Sequence, residues 1–279
     1  MNKRMRLAAL PFSAYALIFI AAPLLLVLYY SLTTSQDGLR TFTFQNFARF
    51  FSDPVYLLVL WRSLWIAAVS TLICLALGFP MAYILSRMRE KTRAVVSVLF
   101  ILPMWMNFLL RTYAWMTLLE RTGFINTLLT NLGLPTIDIM YTTGAVILGN
   151  VYNFLPYMIL PIYTVLVKID KSIIESAEDL GASRFHVFTR VILPLSFSGV
   201  TSGLTMTFMP AVSTFIISKL LGGGQNALIG DLIEKQFKTV GDWGFGSAMS
   251  VIIMVLILLT MNVMSRYEKD QARDGGVLL

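Results

Sequence analysis

The sequence predicts an all-α, polytopic membrane protein with six transmembrane helices, on three observations. Only 13% of the 279 residues are charged and 57% are hydrophobic, with a mean hydropathy of +0.73. A soluble domain carries about 25% charged residues. Six stretches supply the roughly twenty apolar residues that a bilayer crossing needs. The basic residues gather in alternate loops rather than spreading evenly. No second compositional regime marks a boundary, so a single transmembrane domain is expected over residues 1–279.

The expected spans are 10–32, 63–85, 94–119, 142–166, 191–220 and 247–264. The first begins at Leu10 and follows Lys3, Arg4 and Arg6. Its apolar core is too long for a signal peptide and no small-x-small cleavage site closes it, so it reads as an uncleaved span. The second and third flank the clearest basic loop, where Arg87, Arg89, Lys91 and Arg93 fall between Ser86 and Arg93. The fifth carries Pro210 in mid-run, where a missing amide permits a kink. Met206, Met209 and Ser213 flank it as an adaptable gate, the alternative being a packed, kinked helix.

Orientation follows from the cations. With both termini in the cytoplasm, 14 of the 22 Lys and Arg residues fall on the cytoplasmic side, among them Lys168, Lys171, Arg184, Arg190, Arg266, Lys269 and Arg273. The net charge of +7 therefore reflects topology and does not call for a nucleic-acid partner. Cys74 and His186 are single, which excludes an intrachain disulfide and a His/Cys metal cluster. No Gly-x-x-x-x-Gly-Lys-[Ser/Thr] sequence occurs, and Gly222-Gly-Gly-Gln225 lacks the Lys, so the chain has no means of cradling ATP phosphates.

The cytoplasmic segment 167–190 is too elaborate for a connector. Ile173, Ile174, Ala177 and Leu180 recur at helical spacing, with Glu175, Glu178 and Asp179 on the polar side. Gly181 follows where a helix C-cap would sit. Phe185, Val187 and Phe188 open a second helical stretch that runs into Val191, Ile192 and Leu193. Two helices meeting at a bend present aromatic knobs to a partner groove; the alternative is an amphipathic loop lying on the membrane surface.

Glu175, Ser176, Ala177, Gly181, Val191, Leu193 and Pro194 resemble the EAA motif of ABC importer permeases, with Ser and Val replacing the usual Ala and Ile. The resemblance implies a type I importer permease fold, with Glu175, Ala177, Gly181, Phe185, Phe188 and Pro194 coupling to an ATPase. It also implies two copies of a cytoplasmic ABC ATPase that bind ATP and Mg, a second homologous permease and a periplasmic binding protein. No cofactor is expected in this chain. The sequences Glu175–Ser183, Leu102-Pro-Met-Trp105, Arg111-Thr-Tyr-Ala-Trp115 and Asn153-Phe-Leu-Pro-Tyr157 are similar to those of the polyamine branch, which implies spermidine or putrescine as cargo and a polyamine-binding protein as its source.

Polar residues within spans are costly unless they face protein or water. Asn107, Arg111 and Trp115 recur every four residues on the third span, and Asn150, Asn153 and Tyr157 share a face of the fourth. With Trp105, Tyr113 and Tyr152 they form a candidate pathway in which aromatic faces hold ammonium groups. The alternative is interhelical hydrogen bonding plus an interfacial aromatic belt. Arg111 reads as snorkelling or paired. No acidic residue lies in any expected span. Glu120, Asp138, Asp231, Glu234 and Asp242 fall in outer loops, with Asp37 and Asp53 between the first two spans; they either draw in a cation or are simply solvated. Permeases for an inorganic oxyanion or iron, and an ATP-independent transporter, remain the rival readings.

Overall fold

The computed structural model describes residues 11–12, 14–36 and 39–275. Lys3, Arg4, Arg6, Leu10 and Asp37 lie outside the described residues, as do the side chains of Arg266, Lys269 and Arg273. The chain is almost entirely helical.

In order, the elements are α1 (Ala14–Ser31), strands β1 (Thr33–Gln36) and β2 (Leu39–Phe42), α2 (Gln45–Ser52), α3 (Pro54–Arg87), α4 (Glu90–Trp105), α5 (Phe108–Leu119), α6 (Phe124–Asn131) and α7 (Thr143–Leu166). There follow α8 (Lys171–Asp179), α9 (Arg184–Leu195), α10 (Phe197–Ser213), α11 (Ile216–Leu221), α12 (Ile229–Lys235) and α13 (Trp243–Gly275). Four are long and apolar enough to cross a membrane: α1, α3, α7 and α13 over Trp243–Met264. Two bent pairs raise the number to six if each is one span, α4 with α5–α6 at 93° and α9 with α10 at 63°.

The third stretch is therefore not the continuous helix expected over 94–119. It breaks at Met106 and Asn107, whose extended backbone ends α4 at Trp105. The Asn107 side chain starts the next helix by accepting the amides of Leu109 (2.8 Å) and Leu110 (3.4 Å). Hydropathy does not register this break because the residues on both sides are apolar.

The fifth stretch also bends away from the expected place. α10 runs through Pro210, and the bend lies at Ser196. Just before it, Leu193 donates back five residues to the Phe188 carbonyl, closing a π turn. Pro194, the next residue, has no N–H to donate.

The described residues gather into two units, one from Met1–Val59 and Leu232–Leu258, the other from Leu60–Asp231 and Leu259–Leu279. In the first, the antiparallel hairpin pairs Thr33 with Phe42 and Thr34 with Thr41. Buried Asn46 ties its base to α1, donating to the carbonyls of Ser31 (3.1 Å) and Thr33 (3.2 Å). Phe50 is fully buried and stacks on Tyr56, which meets Phe245 edge-on at 4.9 Å.

In the second unit, α7 and α10 pack with almost no side-chain layer between them. A Cβ on Gly199 would lie 2.9 Å from the Ile162 Cα, and one on Gly203 would lie 2.8 Å from the Met158 Sδ. Thr207 and Ala211 continue this buried stripe at four-residue spacing. Such stripes let backbones approach and gain dispersion where lipid offers no hydrophobic drive. Around the pair lie two apolar clusters, one with Ile66, Phe154, Val212 and Leu221, the other with Phe79, Met158, Ile162 and Val187.

Candidate functional site

The corner between α8 and α9 is assembled locally by capping. The Asp170 carboxylate accepts the Ser172 amide at 3.0 Å and starts α8. Those bonds from Ser172 hold Asp170 below the usual carboxylate range. At the other end Ala182 donates to the Ala177 carbonyl (3.1 Å) and Gly181 to that of Glu178 (2.9 Å). These are the two bonds of a Schellman motif, in which Gly181 takes φ +83°. Ser183 caps α9 by accepting the His186 amide, and its hydroxyl lies 2.8 Å from His186 Nδ1. Two short helices are thus joined by a corner whose backbone groups are satisfied internally.

The faces of that corner divide sharply. Ile174, Ala177, Ala182, Val187 and Phe188 pack toward the protein, and Phe188 meets Phe79 (5.6 Å) and Tyr83 (6.1 Å) edge-on. Only one of the two expected aromatic knobs therefore points outward. Phe185 is 73% exposed and Leu180 is 89% exposed. Glu175, Gly181 and Pro194 are also exposed. An apolar groove of about 540 Å³ runs beneath Leu180 and Gly181 along His186, Val187 and Arg190. Exposed apolar knobs rimmed by charge mark an interaction surface.

The residues expected to line a pathway are not all brought together. Trp105 is 80% exposed and Asn107 is spent on its cap. Trp115 packs against Tyr152 at 5.1 Å, and Tyr113 is exposed. Asn150 and Asn153 are buried in the protein interior, whereas Tyr157 is exposed. Asn150 donates to Ser70 Oγ (3.4 Å), bridging α7 to α3, and Asn153 donates to the Gly149 carbonyl (2.9 Å). Their Oδ1 atoms are unpartnered. Met206 and Ser213 are exposed on α10, and Ser213 donates to the Met209 carbonyl. Glu120 ends α5 beside a cleft of about 510 Å³, with Arg121, Asp138, Tyr141 and Gln225 on the same wall.

Arg111 was expected to snorkel or pair and does neither. It is 7% exposed, its Nε and Nη1 lack partners, and its closest ring contact is Phe108 at 5.9 Å. Hydropathy carries no signal for this burial.

Apolar helices long enough to span a membrane, two bent helix pairs and a corner with exposed apolar side chains are the features of a membrane permease subunit. The sequence profile of the "Binding-protein-dependent transport system inner membrane component" family matches residues 74–272, and the chain belongs to that family. It is the multi-pass inner-membrane permease component of an ABC importer. The spermidine/putrescine transport system permease protein PotB of Salmonella typhimurium (strain LT2) is 39% identical over 268 residues, 93% of each chain. PotB of Escherichia coli (strain K12) is 40% identical over 253 residues, 88% of this chain and 92% of its own. Among solved structures, a bacterial alginate ABC transporter in complex with its periplasmic protein matches with a TM-score of 0.78 at 18% identity, covering 93% of this chain and 92% of that one. That likeness concerns the fold.

Proposed function

We propose that this permease carries a polyamine, spermidine or putrescine, delivered by a periplasmic binding protein. The observation that carries the reading is identity of 37–40% to PotB proteins over 88–96% of this chain. In this reading the chain pairs with a second, similar permease and two cytoplasmic ATPases that bind ATP and Mg, and it performs no covalent chemistry itself. Both termini face the cytoplasm, which puts the corner on the ATPase side. Leu180 and Phe185 enter the ATPase surface, Glu175 and Ala177 lie on the adjoining helix, and Gly181 keeps the corner's angle. Phe188 holds the corner to the spans from within, and Pro194 lies at the bend that leads into α10. Closure of the ATPases on ATP favours one of two arrangements of the spans, and hydrolysis releases it.

Along the pathway, Trp105, Tyr113, Tyr157, Met206 and Ser213 supply exposed aromatic, thioether and hydroxyl groups. Asn107, Trp115, Asn150 and Asn153 shape it from behind, and Glu120 attracts cations at its outer end. Aromatic faces hold ammonium groups by about 0.5–2 kcal/mol each, weak enough for release. The test is uptake of radiolabelled spermidine by the complete transporter reconstituted with its binding protein. ATP-dependent accumulation of spermidine is expected. Uptake of sulfate or iron with no polyamine uptake, or uptake without an ATPase, would overturn the proposal.

A further inference from the structure

A second site stands apart from the corner and from the pathway residues. At the end of α1 and the start of α13, Tyr30, Thr33, Thr34, Arg40, Asp242 and Trp243 enclose a cavity of about 320 Å³. The candidate spans Ala14–Ser31 and Trp243–Met264 end and begin at this cavity, a position that fits the polar edge of a bilayer. Tyr30 and Trp243, 6.1 Å apart, are the amphipathic rings favoured at that depth.

Its charges are arranged as a separated pair. The exposed Arg40 guanidinium is placed from the hairpin over the Tyr30 ring at 4.4 Å, and it has no carboxylate partner among the described residues. Asp242, which also lines the cavity, is held in place by Arg49 at 3.0 Å and by the Phe245 amide at 3.0 Å. Its side chain is still 34% exposed, and a carboxylate has lone pairs for further donors. Thr34 lines the cavity as well. The lining thus offers a cation that suits a phosphate and a carboxylate that suits a primary ammonium.

We propose that this cavity binds the phosphoethanolamine headgroup of a membrane lipid, with the phosphate on Arg40 and the ammonium on Asp242 beside the two aromatic rings. Arg40 leaves the Tyr30 face at small cost, since an exposed cation–π contact contributes little. A headgroup carrying only phosphate brings Asp242 no further donor, and a trimethylated amine cannot donate to it.

The test uses the complete transporter in nanodiscs of phosphatidylethanolamine, phosphatidylglycerol or phosphatidylcholine, extracted gently and weighed intact by native mass spectrometry. One phosphatidylethanolamine per copy of this chain should be retained, with the other two lipids held roughly tenfold less. Arg40→Ala should weaken retention about tenfold, as loss of a charged hydrogen bond implies, and Arg40→Lys should restore most of it. Wild-type elution on size exclusion and unchanged spermidine uptake would show that the Arg40→Ala transporter is folded. Equal retention of all three lipids, or retention unchanged in Arg40→Ala, would overturn the proposal. So would displacement of the lipid by free phosphoethanolamine or by spermidine, which would make the cavity a site for soluble solutes.

Discussion

Gly181 offers the most discriminating test of the cytoplasmic corner. Its φ of +83° is strained for side-chain-bearing residues, yet a Cβ built there meets nothing within 4 Å. Substitution therefore costs backbone energy alone, with no steric clash inside the chain. The left-handed conformation costs an L-residue roughly 1–2 kcal/mol. A local loss of that size lowers the population of the formed corner by a factor of about 5–30. Asn visits this region far more readily than other residues, and a β-branched residue is an outlier there. The expected order of function is Gly, then Asn, then Ala, then Val. The assay measures ATP hydrolysis and spermidine uptake on the same proteoliposomes and takes their ratio. Gly181→Val should hydrolyse ATP with little uptake, whereas Gly181→Asn should stay close to wild type. Equal damage by Asn and Val would show that the docking surface requires the bare backbone itself. Normal coupling in Gly181→Val would refute the corner's role altogether.

Replacing Gly199 by Ala should destabilise the α7–α10 pair by about 1–3 kcal/mol, because the new methyl meets backbone at 2.9 Å. Thermal melts of the detergent-solubilised transporter will show this, and an unchanged melt would mean that the helices part freely. Arg111→Met should leave the melting temperature unchanged or raise it, since it removes a buried, unpartnered charge; a drop of several degrees would mean that the guanidinium has a partner in the assembled transporter. Asp170 contributes to α8 stability above the ordinary carboxylate range, and that contribution is lost as pH falls through its lowered value. The protection factor of the Ser172 amide, its exchange rate relative to the intrinsic rate at each pH, should fall on acidification in the wild type and stay constant in Asp170→Asn, which caps without a charge. Asn153→Ala should impair uptake while the complex still assembles; loss of assembly would assign Asn153 to packing alone.

The corner was legible because its instructions are local. Asp170, Gly181 and Ser183 each act within three or four residues, so spacing suffices to place helix, bend and helix. The side on which each aromatic lies was less accessible: Phe185 and Phe188 are equally hydrophobic, and only the position of Phe79 and Tyr83 turns one inward. The long spans were equally plain, and Thr142 caps α7 at the start of the expected 142–166 stretch. Asn107 was read as one polar step along a continuous helix, although an Asn four residues after Pro103 is also an N-cap signal. The apolar run around it outweighed that signal. Pro210 was the opposite case, a strong kink residue that a well-packed helix accommodates while the bend forms beside Pro194. Arg111 and Asn150 could not be placed at all, because their burial depends on neighbours far away in sequence.

The glycine stripe of α10 has a mechanical consequence. Most packed helices are separated by side chains that swing between rotamers, and such a layer absorbs small displacements. At Gly199 the helix meets the backbone of Pro161 and Ile162 with no such cushion, and at Gly203 it meets the Met158 carbonyl and thioether. The corner formed by α8 and α9 leaves α7 at Leu166 and feeds α10 at Phe197. A push at that corner therefore meets both helices as one stiff lever, and little of its stroke is lost to rotamer play before it reaches their far ends.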